Sequence, residues 1–294
     1  MLRGLYSAAS GMMTQQRRHD TVTNNIANLN TPGYKQVNAA ARAFPEMLIA
    51  LVGADNPGAK SIGQLNMGVF SEESIPLFMQ GDLRQTQSAS DFALVADLTG
   101  ADPNLVFDAS GKAVTQDGEV VFKPQAFFTV RDGNGETRYT RDGKFTVNAN
   151  GNLQAGDGSL VLGVDGQPID IGDRAIGELS VNGRGEWFNA TTGELVFDIE
   201  QLLITRIENP NLLIKEGNGN FRFANEEDAA AARPVNDTDD VEVRQGYLER
   251  SNVDPSQAMV DMMAAARAYE ANQKVIQFYD KSLEKTVNEV GRVQ

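Results

Sequence analysis

The sequence predicts an α+β chain, with terminal helices that form a coiled-coil-like domain and a central antiparallel β-domain. Three observations carry this. The last forty residues repeat apolar positions every seven residues, the first thirty carry a matching stripe, and Asp-Gly pairs punctuate alternating segments between them.

At the N-terminus, Leu5, Ala8, Met12, Gln15, His19, Val22, Ile26 and Leu29 fall on one a/d stripe. A lone histidine on such a stripe reads as a packed residue and not as a ligand. Asn30-Thr31-Pro32-Gly33-Tyr34 ends the helix. Pro32 cannot continue it, and Pro-Gly signals a type II turn with Gly33 at positive φ. Asn24, Asn25, Asn28 and Asn30 serve as caps, or as hydrogen-bonding groups across a helix–helix contact.

Residues 36–89 read as an extended connector. The β-domain is expected over 90–245. Asp-Gly pairs stand at 117–118, 132–133, 142–143, 157–158 and 165–166, with Asn182-Gly183 further on. Such pairs are hairpin signals when the flanks alternate, as Phe128, Val130 and Phe145, Val147 do. The acidic run 226–240 has no apolar period and reads as a loop.

The C-terminal helix is expected within 246–294. Asp254 or Ser256 caps it, and Pro255 sits in its first turn. The a positions are read at Met259, Ala266, Gln273, Asp280 and Val287, the d positions at Met262, Tyr269, Ile276, Leu283 and Val290. No Gly or Pro interrupts 256–290, so the helix would run roughly 55 Å, far longer than a domain core requires. Its N-terminal counterpart occupies 1–35. Neither seam can be buried alone. The two can pair with each other and with the same helices of neighbouring copies, and a contact that does not close gives a filament.

Composition narrows the chemistry. The chain has 294 residues, no cysteine and one histidine, His19. Disulfides and Cys-ligated metals are excluded, and histidine-based catalysis has almost nothing to use. Net charge is −14, placed as +4 in 1–42, −17 in 43–253 and −1 in 254–294. An acidic middle argues against a nucleic-acid partner. No run reaches the ~18 apolar residues of an integral membrane segment, and no Sec signal or anchor is read at the N-terminus. The Asp132–Glu136 string lacks the Gly and Glu of a calcium loop at positions 6 and 12, which are Thr137 and Gly143. Gly217-Asn218-Gly219 lacks the third glycine of a dinucleotide loop. No catalytic, cofactor or metal residues are assigned.

The string SAASGMMTQQRRHDTVTNNIANLNTPGYK (7–35) resembles the N-terminal signature of bacterial flagellar rod and hook proteins, with Asn28, Asn30, Thr31, Pro32, Gly33 and Tyr34 as its specific core. The stretch 245–290 resembles the second signature through Glu249, Ser251-Asn252-Val253, Arg267, Tyr269-Glu270-Ala271-Asn272 and Asp280. The middle is similar to the distal rod protein and its paralogues at 80–87 and 127–169, and the Ala43–Leu48 segment looks most like Gram-positive rod proteins. One departure stands out: about thirty residues rich in Asp, Gly and Asn separate Asp91-Phe92-Ala93-Leu94 from Phe127-Phe128. This insertion, 95–126, is expected to add one or two strands to the edge of the β-domain.

The resemblance implies a structural subunit of the flagellar basal-body rod. It implies export across the cytoplasmic membrane by the flagellar type III apparatus, and polymerisation with itself and with homologous rod and hook subunits into a hollow shaft that transmits torque. The helices would face inward and the acidic β-domain outward. The assembly seam would be Leu5, Met12, Val22, Ile26, Leu29, Met259, Met262, Tyr269, Ile276, Leu283, Val287 and Val290. Two other readings of the residues are a secreted β-domain binding module with a dimerising coiled coil, and a peptidoglycan hydrolase built on a carboxylate pair.

Overall fold

The computed structural model describes residues 2–45, 47–50, 61–65, 67–72, 74–98, 105–108, 111–115 and 117–290. The chain forms two compact units. One comprises Met1–Ala27, Val37–Ile75 and Asp254–Gln294, the other Asn28–Gln36 and Pro76–Val253. The segment read as a connector, 36–89, is thus divided between them. Three α-helices are described: α1 (Leu2–Ala27), α2 (Glu226–Ala229) and α3 (Pro255–Lys285).

The helical unit contains α1, α3 and short antiparallel strand pairs, among them Ala41–Ala43 with Val69–Ser71. Asp254 is the N-cap of α3. Its Oδ1 accepts from the backbone N–H groups of Ser256 and Gln257 at 2.8 and 3.2 Å, and Pro255 occupies the first turn, where no N–H is needed. Past Lys285 the coil loosens into a π-helical turn, Thr286–Val290.

The β unit is organised on the strand Gln125–Arg131. Thr137–Thr140 pairs with it on one side. On the other side Ile204–Ile207 pairs with its first half and Leu160–Val161 with its end. The sheet continues through Leu153–Gln154 and Thr146–Val147 at one edge and through Asn220–Phe223 and Leu213–Lys215 at the other. Side chains alternate across a strand, and here both faces are covered. Ala126, Phe128 and Val130 enter a large cluster with Phe92, Phe145 and Trp187. Phe127, on the opposite face, packs with Phe78, Tyr139 and Phe221. Phe127 and Phe128 are both fully buried. Val147, expected to alternate inward, lies 36% exposed at the sheet edge.

The hairpin turns share one design. The backbone bonds Gly135 N–H to Asp132 O and Asp132 N–H to Glu136 O close the first, and the same pair of bonds recurs at Thr115–Glu119, Asn148–Asn152, Ala155–Ser159, Gly163–Gln167 and Asn182–Glu186. In each the fourth residue is a glycine at positive φ. This is a type I turn followed by a left-handed residue, not the two-residue turn that Asp-Gly predicts. Asp-Gly supplies the turn glycine at 118, 158 and 166, whereas Gly135 and Gly185 replace Gly133 and Gly183 in that role. Gly143 forms no such turn. An ideal Cβ there would lie 1.7 Å from the carbonyl oxygen of Phe92, so it marks a close backbone approach.

Two further expectations are corrected. Residues 226–240 are not simply a loop: α2 is followed by the strand Ala232–Pro234, which pairs with Ile204–Ile207. The buried Asp239 carboxylate holds this stretch by ion pairs to Arg206 and Arg233. These ion pairs, with Ala229, Ala232 and Val235 packed against the two clusters, order a stretch that has no apolar period. Within the insertion, Lys112–Val114 and Val120–Phe122 form a hairpin that is its own two-stranded sheet and does not extend the edge of the large one. Residues 99–104, 109–110 and 116 of the insertion lie outside the described residues.

Candidate functional site: the paired helices and the signature clasp

α1 and α3 pack antiparallel. A Cβ added to Gly4 would lie 2.1 Å from Tyr279 Oη, and one added to Gly11 would lie 3.1 Å from Asn272 Nδ2. Seven residues onward in α1 therefore meet seven residues back in α3. Further along, Arg18 Nη2 donates to Asp261 Oδ1 at 3.0 Å. Glycine inside a helix costs about 1 kcal/mol relative to alanine. Here it admits the larger side chains of α3.

The covered row of α3 is Ala258, Met262, Ala265, Tyr269, Asn272, Ile276, Tyr279 and Leu283, with spacings of four and three. The expected d positions Met262, Tyr269, Ile276 and Leu283 lie on it. Three of the expected a positions are displaced by one residue: Ala258, Asn272 and Tyr279 take the place of the exposed Met259, Gln273 and Asp280, while Ala266 is partly buried beside the buried Ala265. Met259 is 52% exposed and Val287, on the π-helical turn, is 70% exposed. Gly4 and Gly11 face Tyr279 and Asn272 of this row. On α1, Leu5, Met12, Val22 and Ile26 are partly buried, as is Leu29 beyond its end. The Val290 side chain lies outside the described residues.

Both helices keep an uncovered apolar face. On α3, Val260, Met263 and Phe278 lie opposite the covered row and Val275 at its flank, Phe278 with 71% exposure. On α1, Tyr6 and Met13 are similarly exposed, one heptad apart. The Asn25 side chain accepts from Val37 N–H at 3.0 Å and donates to Val37 O at 2.8 Å, tying α1 to the segment that follows.

The two motifs meet inside the β unit. Tyr34 N–H reaches Thr31 O at 3.4 Å across Pro32-Gly33, and Gly33 has φ of 65°, the expected type II turn. Thr31 Oγ1 donates to Asn28 Oδ1, while Asn30 is exposed. Gly33 N–H donates to Glu249 O at 2.9 Å. The Glu249 carboxylate is a hub. Oε1 accepts from Lys35 Nζ at 2.7 Å and Gly81 N–H at 2.8 Å, and Oε2 accepts from Arg141 Nε at 2.9 Å. The three charged side chains are each 1% exposed. Lys35 also donates to Met79 O, and Arg141 to Ala126 O, so the second cation is accommodated by carbonyls.

Asn252 forms the other half. Its Oδ1 accepts from Gln36 N–H at 2.6 Å and its Nδ2 donates to Leu77 O at 2.9 Å. Ser251 Oγ accepts from Val253 N–H, and Val253 is buried. Burial, reinforced by the Arg141 charge and opposed by Glu249, lowers the Lys35 pKa to about 8. Burial pushes Glu249 upward, but Arg141, Lys35 and the Gly81 amide outweigh it and hold the carboxyl below its ordinary value. Lys215 Nζ lies 3.3 Å from the centre of the Tyr34 ring, and burial lowers its pKa to about 8. Burial raises the Tyr34 hydroxyl to about 12.

Lys35, Gly81, Arg141 and Lys215 were not singled out from the sequence. Lys35 and Glu249 stood in the quoted signatures, but only the folded chain shows that they bond to each other. Among the described residues, no group of three or more His, Cys, Asp or Glu side chains is arranged to hold a metal ion.

Three family models match the chain: flagella basal body rod protein over residues 5–35, flagellar hook protein FlgE/F/G D1 domain over 122–187, and flagellar basal body rod FlgEFG protein C-terminal over 244–289. The flagellar hook-basal body complex protein FlhO of Bacillus subtilis is 36% identical, with 100% of both chains covered. The flagellar basal-body rod protein FlgG of the same organism is 30% identical over 98% of this chain and 99% of its own. FlgG of Borreliella burgdorferi is 29% identical, covering 96% and 97%.

Proposed function

Because the chain belongs to the flagellar basal-body rod protein family and is a structural component of the basal body, we propose that it polymerises through the outward faces of α1 and α3. The observation that carries this is the division of labour on α3. Its inner row is used within the chain, while Val260, Met263, Val275 and Phe278 stay uncovered. Exposed apolar side chains at helical spacing on a long helix are what a neighbouring helix buries. Homologous rod and hook subunits, which carry the same terminal signatures, are the partners at the two ends of its stretch of rod. The flagellar export apparatus delivers it, and its part in the machine is mechanical: it passes torque through interlocked helices. No observation favours a discrete dimeric module or a wall hydrolase.

Val275→Asp and Phe278→Asp test the reading. Both should leave the α1–α3 pair formed, with unchanged helical circular dichroism, and abolish incorporation into isolated basal bodies and motility in a complemented null strain. Ile276→Asp should instead lose helical signal, because an unpaired carboxylate buried in the seam costs several kcal/mol. Full motility of both outer-face variants would exclude this surface from assembly.

A further inference from the structure

The chain passes between its two units four times: after Ala27, Gln36, Ile75 and Val253. Inside the β unit, the segments that begin or end at these passages are bonded to one another by backbone pairs, among them Leu83–Gln85 with Tyr247–Glu249, and through two residues that each reach more than one segment. Glu249 binds Gly33 through its carbonyl, and Lys35 and Gly81 through its carboxylate. Asn252 binds Gln36 and Leu77, and Leu77 N–H donates in turn to Gln36 O at 2.7 Å. Arg141, the residue after the strand Thr137–Thr140, anchors the carboxylate to the sheet.

We propose that Glu249 and Asn252 make a clasp that closes all four passages as one cooperative piece. The three segments that carry these four passages, if bonded only to their own strands, would open singly. Segments sharing one buried carboxylate cannot, because releasing any of them strands a charge or an amide in a closed interior. Gly81 fits this reading: a Cβ there would lie 2.0 Å from Arg250 O, so the passage after Ile75 is pressed against the returning chain. The clasp itself does not depend on the assembly reading. Its mechanical consequence does, for in a rod a pull on one passage is then borne by all four.

Hydrogen exchange by mass spectrometry on the full-length protein tests the clasp. In Glu249→Gln, peptides covering 30–36, 77–82 and 247–252 should exchange together at least about ten-fold faster, while 125–131 and 199–206 keep the parent rate. Lys35→Met retains the Arg141–Glu249 pair and serves if the first variant loses its fold. It should speed up the same three peptides by a smaller, common factor. The proposal is overturned if the folded variant changes only the peptide carrying the substitution, if all peptides accelerate alike, or if none does.

Discussion

Glu249 and Lys35 show what single residues contribute. A carboxyl whose folded pKa is depressed adds stability above its unfolded pKa and loses it as pH falls through the folded one. Glu249 is of this kind. Lys35 and Lys215 follow the same sign in a more alkaline window, because burial disfavours their charged form. Each binds its proton less tightly when folded, at about 8 against 10.5, so the unfolded chain holds more protons between these values and stability rises with pH across that window. Thermal unfolding of the parent should therefore weaken below about pH 4.5. The contribution that grows between about pH 8 and 10.5 should shrink in Lys215→Met, with the acid limb unchanged. An identical alkaline limb in that variant would show that the buried ammonium is not coupled to folding. Glycines divide as sharply. Gly133 has open space where a Cβ would stand, whereas Gly143 faces the Phe92 carbonyl. Gly133→Ala should be neutral to within about 0.5 kcal/mol and Gly143→Ala should cost more than about 3 kcal/mol in denaturant unfolding.

Among elements, the insertion hairpin is the most separable. Among the described residues, Lys112–Val114 and Val120–Phe122 pair with each other alone, and Val114 and Val120, directly opposite, are 65% and 55% exposed. Leu94, just before the insertion, and Leu98, at its start, belong by contrast to the main core. Replacing 105–122 by a short Gly-containing turn should shift the melting temperature by no more than about 4 °C, since it removes little buried apolar surface. Loss of cooperative unfolding would instead mean that the hairpin supports the large sheet. The helices make the contrasting case. α1 is rich in residues with weak helix preference, and its Ser10, Thr14, Thr21 and Thr23 hydroxyls bond back to backbone carbonyls in the preceding turn. Its helicity rests on α3 and on the strand pair beside it, not on propensity.

At the scale of the whole molecule, the sequence by itself determined where the two long helices run and that a glycine-punctuated antiparallel sheet lies between them. The heptad stripes, the Asp254-Pro255 start, the Pro32-Gly33 stop and the glycine-punctuated hairpins act over a few residues, and such local signals survive in a linear text. The α2 helix and the Ala232–Pro234 strand were not legible, because charge pairs with Arg206 and Arg233 hold that stretch and no apolar period marks it. Only the tertiary structure decided which row of α3 faces α1. That choice depends on Gly4 and Gly11 admitting Tyr279 and Asn272, a matter of shape across two helices, whereas periodicity alone fits two rows one residue apart. Only the tertiary structure, too, joined Lys35 to Glu249, 214 residues apart, with Arg141 and Gly81 around the same carboxylate. A buried charge is tolerated where its partners converge in space, and that convergence leaves no trace in the spacing of the residues that make it.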